Sequence, residues 1–284
     1  MALQTGKLYI CATPIGNLED ITLRVLRILR EVDIIAAEDT RVTKKLLLHY
    51  DISTPMVSYH EHNEITRGRE LIKAMQEGKS IALVSDAGMP GISDPGHRLI
   101  KACIAERIQV IPLPGPSSLI TALVVSGLPT DSFIFQGFLP RKKGDRISIL
   151  TELLGMGRTV VLFESPRRLK STLKEISEID KERDIVIARE LTKKFEEIIR
   201  GTVSEIIDRL KEAEVKGEIV LLLGPGKKRP REFTEIELRD AVIELINRGI
   251  PKKQAISDVA KQYSISKRSI YEAVIKLREE NNPQ

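Results

Sequence analysis

From Leu8 onward, short apolar runs alternate with segments whose apolar residues recur every three or four positions. Strands buried on both faces read as the runs and amphipathic helices as the longer period, which predicts strand–helix units in a mainly parallel sheet. Leu8–Ala12 is the first expected strand, followed by a helix that Asp20 caps, with Leu23, Leu26 and Leu29 on one face and Arg24, Arg27 and Arg30 on another. Strands are expected at Ile34–Ala37, Met56–Ser58, Ile81–Val84 and Val110–Leu113, with helices over RVTKKLLLHY, around Leu71, Ile72 and Met75, from about His97 to Glu106, and over LITALVVSGL.

GLPTDSF punctuates the chain near residue 130, and a second α/β segment follows. It reads as strand Phe133–Phe138, an exposed basic loop RKKGDR, helix Ile147–Leu154, strand Thr159–Phe163, a helix opened by Pro166, and strand Ile185–Ala188. An alternating segment Phe195–Gly201, helix Val203–Lys211 and strand Ile219–Leu223 complete it, before the basic, proline-bearing linker GPGKKRPREF. The tail has no strand signal. Leu238, Val242, Leu245 and Ile246 mark one helix, Gln254–Gln262 a second, and Lys267–Arg278 a third, with YSIS as the tight connection of a helix-turn-helix. The expected domains are therefore 1–129, 130–226 and 227–284.

Composition narrows the function classes. At 284 residues, 42% hydrophobic and 30% charged, the chain is an ordinary globular sequence too long for one core. No apolar run approaches the ~18 residues of a membrane span. The N-terminal stretch lacks the pattern of a secretory signal, so a cytoplasmic protein is expected. Cys11 and Cys103 both lie in apolar segments and read as two buried thiols, and the four histidines show no zinc-ligand spacing, so no metal site is expected. A net charge of +5 is compatible with a polyanionic partner without requiring one.

The candidate chemistry lies where strands end. VSDAGMPGISDPG, residues 84–96, has three glycines and two prolines in thirteen positions, so the backbone must turn sharply and can approach a ligand closely. TPIGN, EDTR and PGPSS fall at the same carboxyl edge, where open α/β sheets bind ligands. None is a dinucleotide fingerprint or an NTP phosphate loop.

TPIGNLEDIT, AAEDTRVTKKLL, VSDAGMPGISDPG, PGPSS and FESPRRL, in that order over about residues 6–226, resemble the tetrapyrrole methylase family. The resemblance implies two α/β domains of the class III methyltransferase type, a cleft between them that holds S-adenosylmethionine, and a homodimer. Within the family the pattern and the helical tail imply methyl transfer to the ribose 2′-hydroxyl of a cytidine in the decoding region of 16S rRNA, on the rRNA or on the assembled small ribosomal subunit. Matching positions place Asp86, Ala87, Gly88 and Met89 against the donor, with Ser118 and Leu119 from the PGPSS turn and Phe163 and Ala188 from the second domain.

A hydroxyl nucleophile must lose its proton, and a carboxylate or neutral histidine within hydrogen-bond reach can take it. Asp39 is the first choice, with Glu64, His62 and Glu190 as alternatives, and positioning without a dedicated base stays open. Arg41 joins the expected catalytic group and, with Lys44, can hold flanking phosphates. Asn17, Arg141, Lys142, Lys143, Lys267 and Arg268 complete the expected RNA contacts, although the basic runs also read as solvated faces. Asp94, just before Pro95, reads as structural, and His60 as a surface residue. Two other functions fit parts of the pattern. One is methylation of a corrin or porphyrin precursor, against which PIGNLED replaces the usual GxGPGD. The other is a ligand-sensing, helix-turn-helix DNA-binding regulator.

Overall fold

The computed structural model describes residues 5–212, 214–226, 234–263 and 265–272. The chain divides at Lys227/Lys228 into two compact units. The first unit carries two five-stranded sheets.

The first sheet contains β1 (Lys7–Cys11), β2 (Ile34–Ala37), β3 (Met56–Ser58), β4 (Ile81–Val84) and β5 (Gln109–Leu113). Its order is β3-β2-β4-β1-β5, and every pairing is parallel. Side chains alternate across it as strand geometry demands. Cys11, Ile35, Ala37, Ala82 and Val84 pack with α1 (Leu23–Glu31) and α2 (Thr40–His49). Leu8, Ile10, Ala36, Ile81 and Leu83 pack with α3 (Glu64–Gln76) and α4 (His97–Ala105) on the other face. Both cysteines are buried and free, and burial pushes each thiol up to about 12.

Helix α5 (Ser118–Ser126) leads into the second sheet, formed by β6 (Phe133–Phe138), β7 (Thr159–Glu164), β8 (Asp184–Arg189), β9 (Glu197–Thr202) and β10 (Ile219–Leu223). Its order is β6-β7-β10-β8-β9; β6 and β7 are parallel, and the other neighbours are antiparallel. Helices α6 (Lys143–Gly155), α7 (Pro166–Asp180) and α8 (Val203–Leu210) share one core with one face of this sheet. Helix α5 and Ile15 from the loop after β1 share another with the opposite face. Arg200 on β9 donates to the Val125 and Ser126 carbonyls, placing a cation at the C-terminus of α5.

Three local expectations change. Thr22, not Asp20, caps α1, because Asp20 ends a short 3-10 turn at Leu18–Asp20. The buried face of α1 is Val25, Ile28 and Leu29, which leaves Leu23 86% exposed in the first turn. RKKGDR is not all loop: α6 begins at Lys143, and Arg146 is buried in a two-pronged pair with Glu175, both contacts 2.6 Å.

The second unit contains α9 (Glu235–Asn247), opened by a Thr234–Glu237 capping box, and α10 (Lys252–Tyr263). Leu238, Val242, Ala255, Ile256, Val259 and Ala260 form its core with Ile270. Residues 267–272 are helical. Ser264 of the expected turn, the third helix beyond residue 272 and most of the basic linker lie outside the described residues. Among the described residues, no helix is long and apolar enough to cross a membrane.

Candidate functional site

All strands of the first sheet run the same way, so the loops after β1, β2, β4 and β5 emerge on one edge. Main-chain bonds stitch these loops together. Thr13 N donates to the Gly88 carbonyl at 2.9 Å, Gly88 N returns a bond to the Thr13 carbonyl at 3.0 Å, and Thr13 Oγ1 donates to the Ser85 carbonyl at 3.0 Å. Gly88 has φ +80, a conformation that costs a side-chain-bearing residue about 1 kcal/mol or more. Ser93 in the same loop also has positive φ, at 63°.

Asp86 is a clamp between loops. It is exposed, its Oδ1 accepts from Asp39 N at 3.0 Å, and its own N–H donates to Glu38 Oε2 at 3.2 Å. Ala87, Gly88 and Met89 instead line a cavity of about 380 Å3, within the size range of small-molecule sites. Ser117, the N-cap of α5, stands on the same wall with Ser118 and Leu119, and Phe163 and Ala188 face them from the second sheet. Of the eight expected donor contacts, the structure therefore brings all but Asp86 to one cavity.

Ile15, Phe138, Leu191 and Val220 complete much of the apolar lining, and Ile92, Ser93 and Asp94 form its edge. Phe138 reaches the rim because β6 bulges between Phe135 and Gly137. It packs near Phe163, at 5.6 Å between rings, while staying 58% exposed. Gly217 completes a wall with φ +89, and a Cβ there would lie 2.4 Å from Glu190 Cγ. Glu190 is committed locally: it accepts from Glu218 N at 2.8 Å and Lys193 Nζ at 2.9 Å, and those bonds lower its pKa. The sequence gives no periodic signal for Leu191 or Gly217, because only the return of β10 beside β8 brings their loops together.

A second hollow of about 520 Å3 adjoins the first, with Ser93 and Asp94 common to both. Glu38, His60, Glu61, His62 and Glu64 line its remainder with Pro95. Glu64 pairs with Arg98 at 2.7 Å. His60 Nδ1 is buried without a hydrogen-bond partner. Burial, reinforced by Glu38, raises Asp94 to about 6, against the hydrogen bond with Ser85. Glu38 is raised in the same direction, again chiefly by burial, and Asp86, though its residue surface is exposed, is raised by partial desolvation of its carboxylate and by the neighbouring Asp39.

Asp39 and Arg41 occupy neither space. Asp39 caps α2 by accepting from Arg41 N at 2.8 Å, and its carboxylate pairs with the Arg41 guanidinium at 2.5 Å. Those bonds hold Asp39 down to about 2. Such a carboxylate is a weak proton acceptor near neutral pH.

The expected RNA contacts lie on several different elements. Asn17 caps the 3-10 turn and borders a separate hollow with His49, Lys193 and Lys194. Lys44 is exposed on α2, while Arg141, Lys142 and Lys143 are exposed at the start of α6, where Lys142 lies 3.6 Å from Asp145. Lys267 and Arg268 are exposed in the tail unit, and Arg268 pairs with Glu272 at 2.9 Å.

Residues 7–207 match the model of the tetrapyrrole (corrin/porphyrin) methylases. The chain belongs to this family. As a tetrapyrrole methylase it is a methyltransferase, and its similarity to individual members is extensive. It is 51% identical over 270 residues to the ribosomal RNA small subunit methyltransferase I of Halalkalibacterium halodurans, covering 94% of this chain and 93% of the other. It is 45% identical to the protein of the same name from Synechocystis, over 96% and 98% of the two chains. The structure of a uroporphyrin-III C-methyl transferase from Thermus thermophilus, complexed with S-adenyl homocysteine, superposes with a TM-score of 0.56. That alignment covers 77% of this tetrapyrrole methylase and 97% of the solved chain, at 19% identity, so it speaks to the fold alone.

Proposed function

We propose that the protein transfers a methyl group from S-adenosylmethionine to the ribose 2′-hydroxyl of a cytidine in the decoding region of 16S rRNA. The rRNA or the assembled small ribosomal subunit is the partner, and the reaction takes place in the cytoplasm. The observation that carries this reading is the 51% identity, over 94% of this chain, to a protein named for methylation of small-subunit ribosomal RNA.

The cavity suits the donor. When bound, S-adenosylmethionine supplies a methyl group made electrophilic by a sulfonium sulfur. The apolar walls, Ile15, Leu119, Phe163, Ala188, Leu191 and Val220, suit an adenine ring, and Ser118 and the main chain of Ala87–Met89 suit its polar amino-acid end. Asp86 contributes by fixing the loop, since its hydrogen bond to Asp39 N ties the loop after β4 to the start of α2. Holding donor and hydroxyl in line accounts for much of the acceleration expected of such a site, on the order of several kcal/mol.

The protein works as a homodimer. Ala122, Leu123 and Ser126 of α5 are buried, whereas Ile120 and Val124, one helical turn apart, are 46% and 71% exposed. Two such faces from two copies bury one another's apolar surface.

Incubation with methyl-labelled donor tests the reading, using small ribosomal subunits and uroporphyrinogen III in parallel. Label in 16S rRNA at a linkage resistant to alkaline cleavage is expected, because 2′-O-methylation removes the internal nucleophile. Label in the tetrapyrrole alone would assign the protein to corrin or porphyrin chemistry.

A further inference from the structure

The donor cavity meets the second hollow at Ser93 and Asp94, so a group in either space has the Asp94 loop as its wall. Ser93 holds a left-handed backbone immediately before Asp94, local strain of the kind that marks functional turns. The second hollow is lined by hydrogen-bond acceptors, Glu38, Glu61, Glu64 and Asp94, and by His60, whose buried Nδ1 has no partner. Acceptor-rich walls repel phosphate and favour groups that donate hydrogen bonds, such as sugar hydroxyls and the exocyclic amine of cytosine. Positive charge stands beside it on Arg98, which pairs with the lining Glu64 and whose side chain is 66% exposed. A nucleoside can thus enter the hollow with its phosphates left at the rim.

We propose that this hollow is the acceptor nucleoside site and that Asp94 is the catalytic residue that takes the proton from the attacking hydroxyl. The inference rests on the methyl-transfer reading above. As the hydroxyl oxygen forms its bond to the methyl carbon, the carbon–sulfur bond breaks and its electron pair goes to sulfur, neutralising the sulfonium. The O–H proton passes to the Asp94 carboxylate, so charge and atoms balance. Among the described residues Asp94 is hydrogen-bonded to Ser85 but has no ion-pair partner, whereas Glu64 pairs with Arg98, Asp39 with Arg41 and Glu61 with His62, and Glu38 accepts from Asp86 N. Burial and the Glu38 and Asp86 carboxylates raise the basicity of Asp94. His60, Glu61, His62, Glu64 and Arg98 are the other charged or titratable groups around the hollow.

The test uses the full chain with unmethylated small subunits and a donor-binding measurement by calorimetry. Wild-type kcat is expected to rise with pH through about 6 and then level. Asp94→Asn is expected to lower kcat by about 100-fold or more and to abolish that acidic limb. Donor Kd and subunit KM should stay within about threefold, since positioning is retained while the proton acceptor is lost. Asp94→Glu should return part of the rate with the limb displaced. Glu64→Gln and His60→Ala should raise subunit KM more than they lower kcat, with donor Kd unchanged. Wild-type kcat and pH limb in Asp94→Asn, or a loss of activity explained wholly by weaker donor binding, would overturn the assignment. A wild-type enzyme that binds donor yet leaves the rRNA unmethylated would instead refute the methyl-transfer reading.

Discussion

Replacing Asp94 by Asn should stabilise the protein, and only above acidic pH. Burial raises Asp94 from 3.8 to about 6, so the folded protein holds this proton more tightly than the unfolded chain does. A raised carboxyl pKa gives stability that is present below the unfolded value and lost as pH rises through the folded one. The displacement of about 2 pH units, at ~1.4 kcal/mol each, sets a ceiling near 3 kcal/mol on the cost of ionising Asp94 in the fold. Asp94 is only partly buried, so solvent screening reduces this to about 1–2 kcal/mol. Asn is nearly isosteric and never ionises. The difference in unfolding free energy between variant and wild type should therefore be constant below about pH 4 and rise to a plateau above about pH 6. Any lost hydrogen bond shifts the whole curve without changing its slope. The chain has no tryptophan, so urea unfolding is best followed by circular dichroism, at pH 3.5, 5 and 7.5. A pH-independent difference, or one that falls as pH rises, would refute the argument. A gain in stability with a loss of turnover is the exchange expected where a fold carries an unfavourable charge for function.

Three further outcomes follow from the packing. Glu175→Gln leaves the Arg146 guanidinium buried without its anion, as the two side chains are only 6% and 9% exposed; a loss of about 3–5 kcal/mol is expected in urea unfolding at pH 7. Gly217→Ala must accommodate φ +89 and displace Glu190, so it should cost about 1–3 kcal/mol and raise the donor Kd measured by calorimetry, with a smaller effect on subunit KM. Val124→Asp puts a charge on the exposed apolar face of α5, and sedimentation should show a shift from dimer to monomer with little change in helix content.

Much of the fold was legible because its signals are local. Strands at Ile34–Ala37, Ile81–Val84 and Ile219–Leu223 end where their apolar runs end, since a buried strand needs continuous apolar side chains and a polar turn stops it. Helix starts were less legible. Asp20 and Thr22 are both good caps by residue type, and the 3-10 turn at Leu18–Asp20 decides between them. The charge of Arg146 suggested a loop, and only the approach of α7 supplies the carboxylate that lets it be buried.

The site divides in the same way. Glycine spacing in VSDAGMPGISDPG and the serines of PGPSS depend on backbone turns that the sequence encodes by itself, and Ala87, Gly88, Met89 and Ser118 do line the cavity. Tertiary structure alone assigned different places to the chain's carboxylates. Asp39, Asp86 and Asp94 are the same residue type near strand ends, yet one is a helix cap paired with Arg41, one a clamp between loops, and one a half-buried group between two cavities. Sequence fixes what a carboxylate can do; its proton affinity depends on desolvation and neighbouring charge, which come from segments distant along the chain.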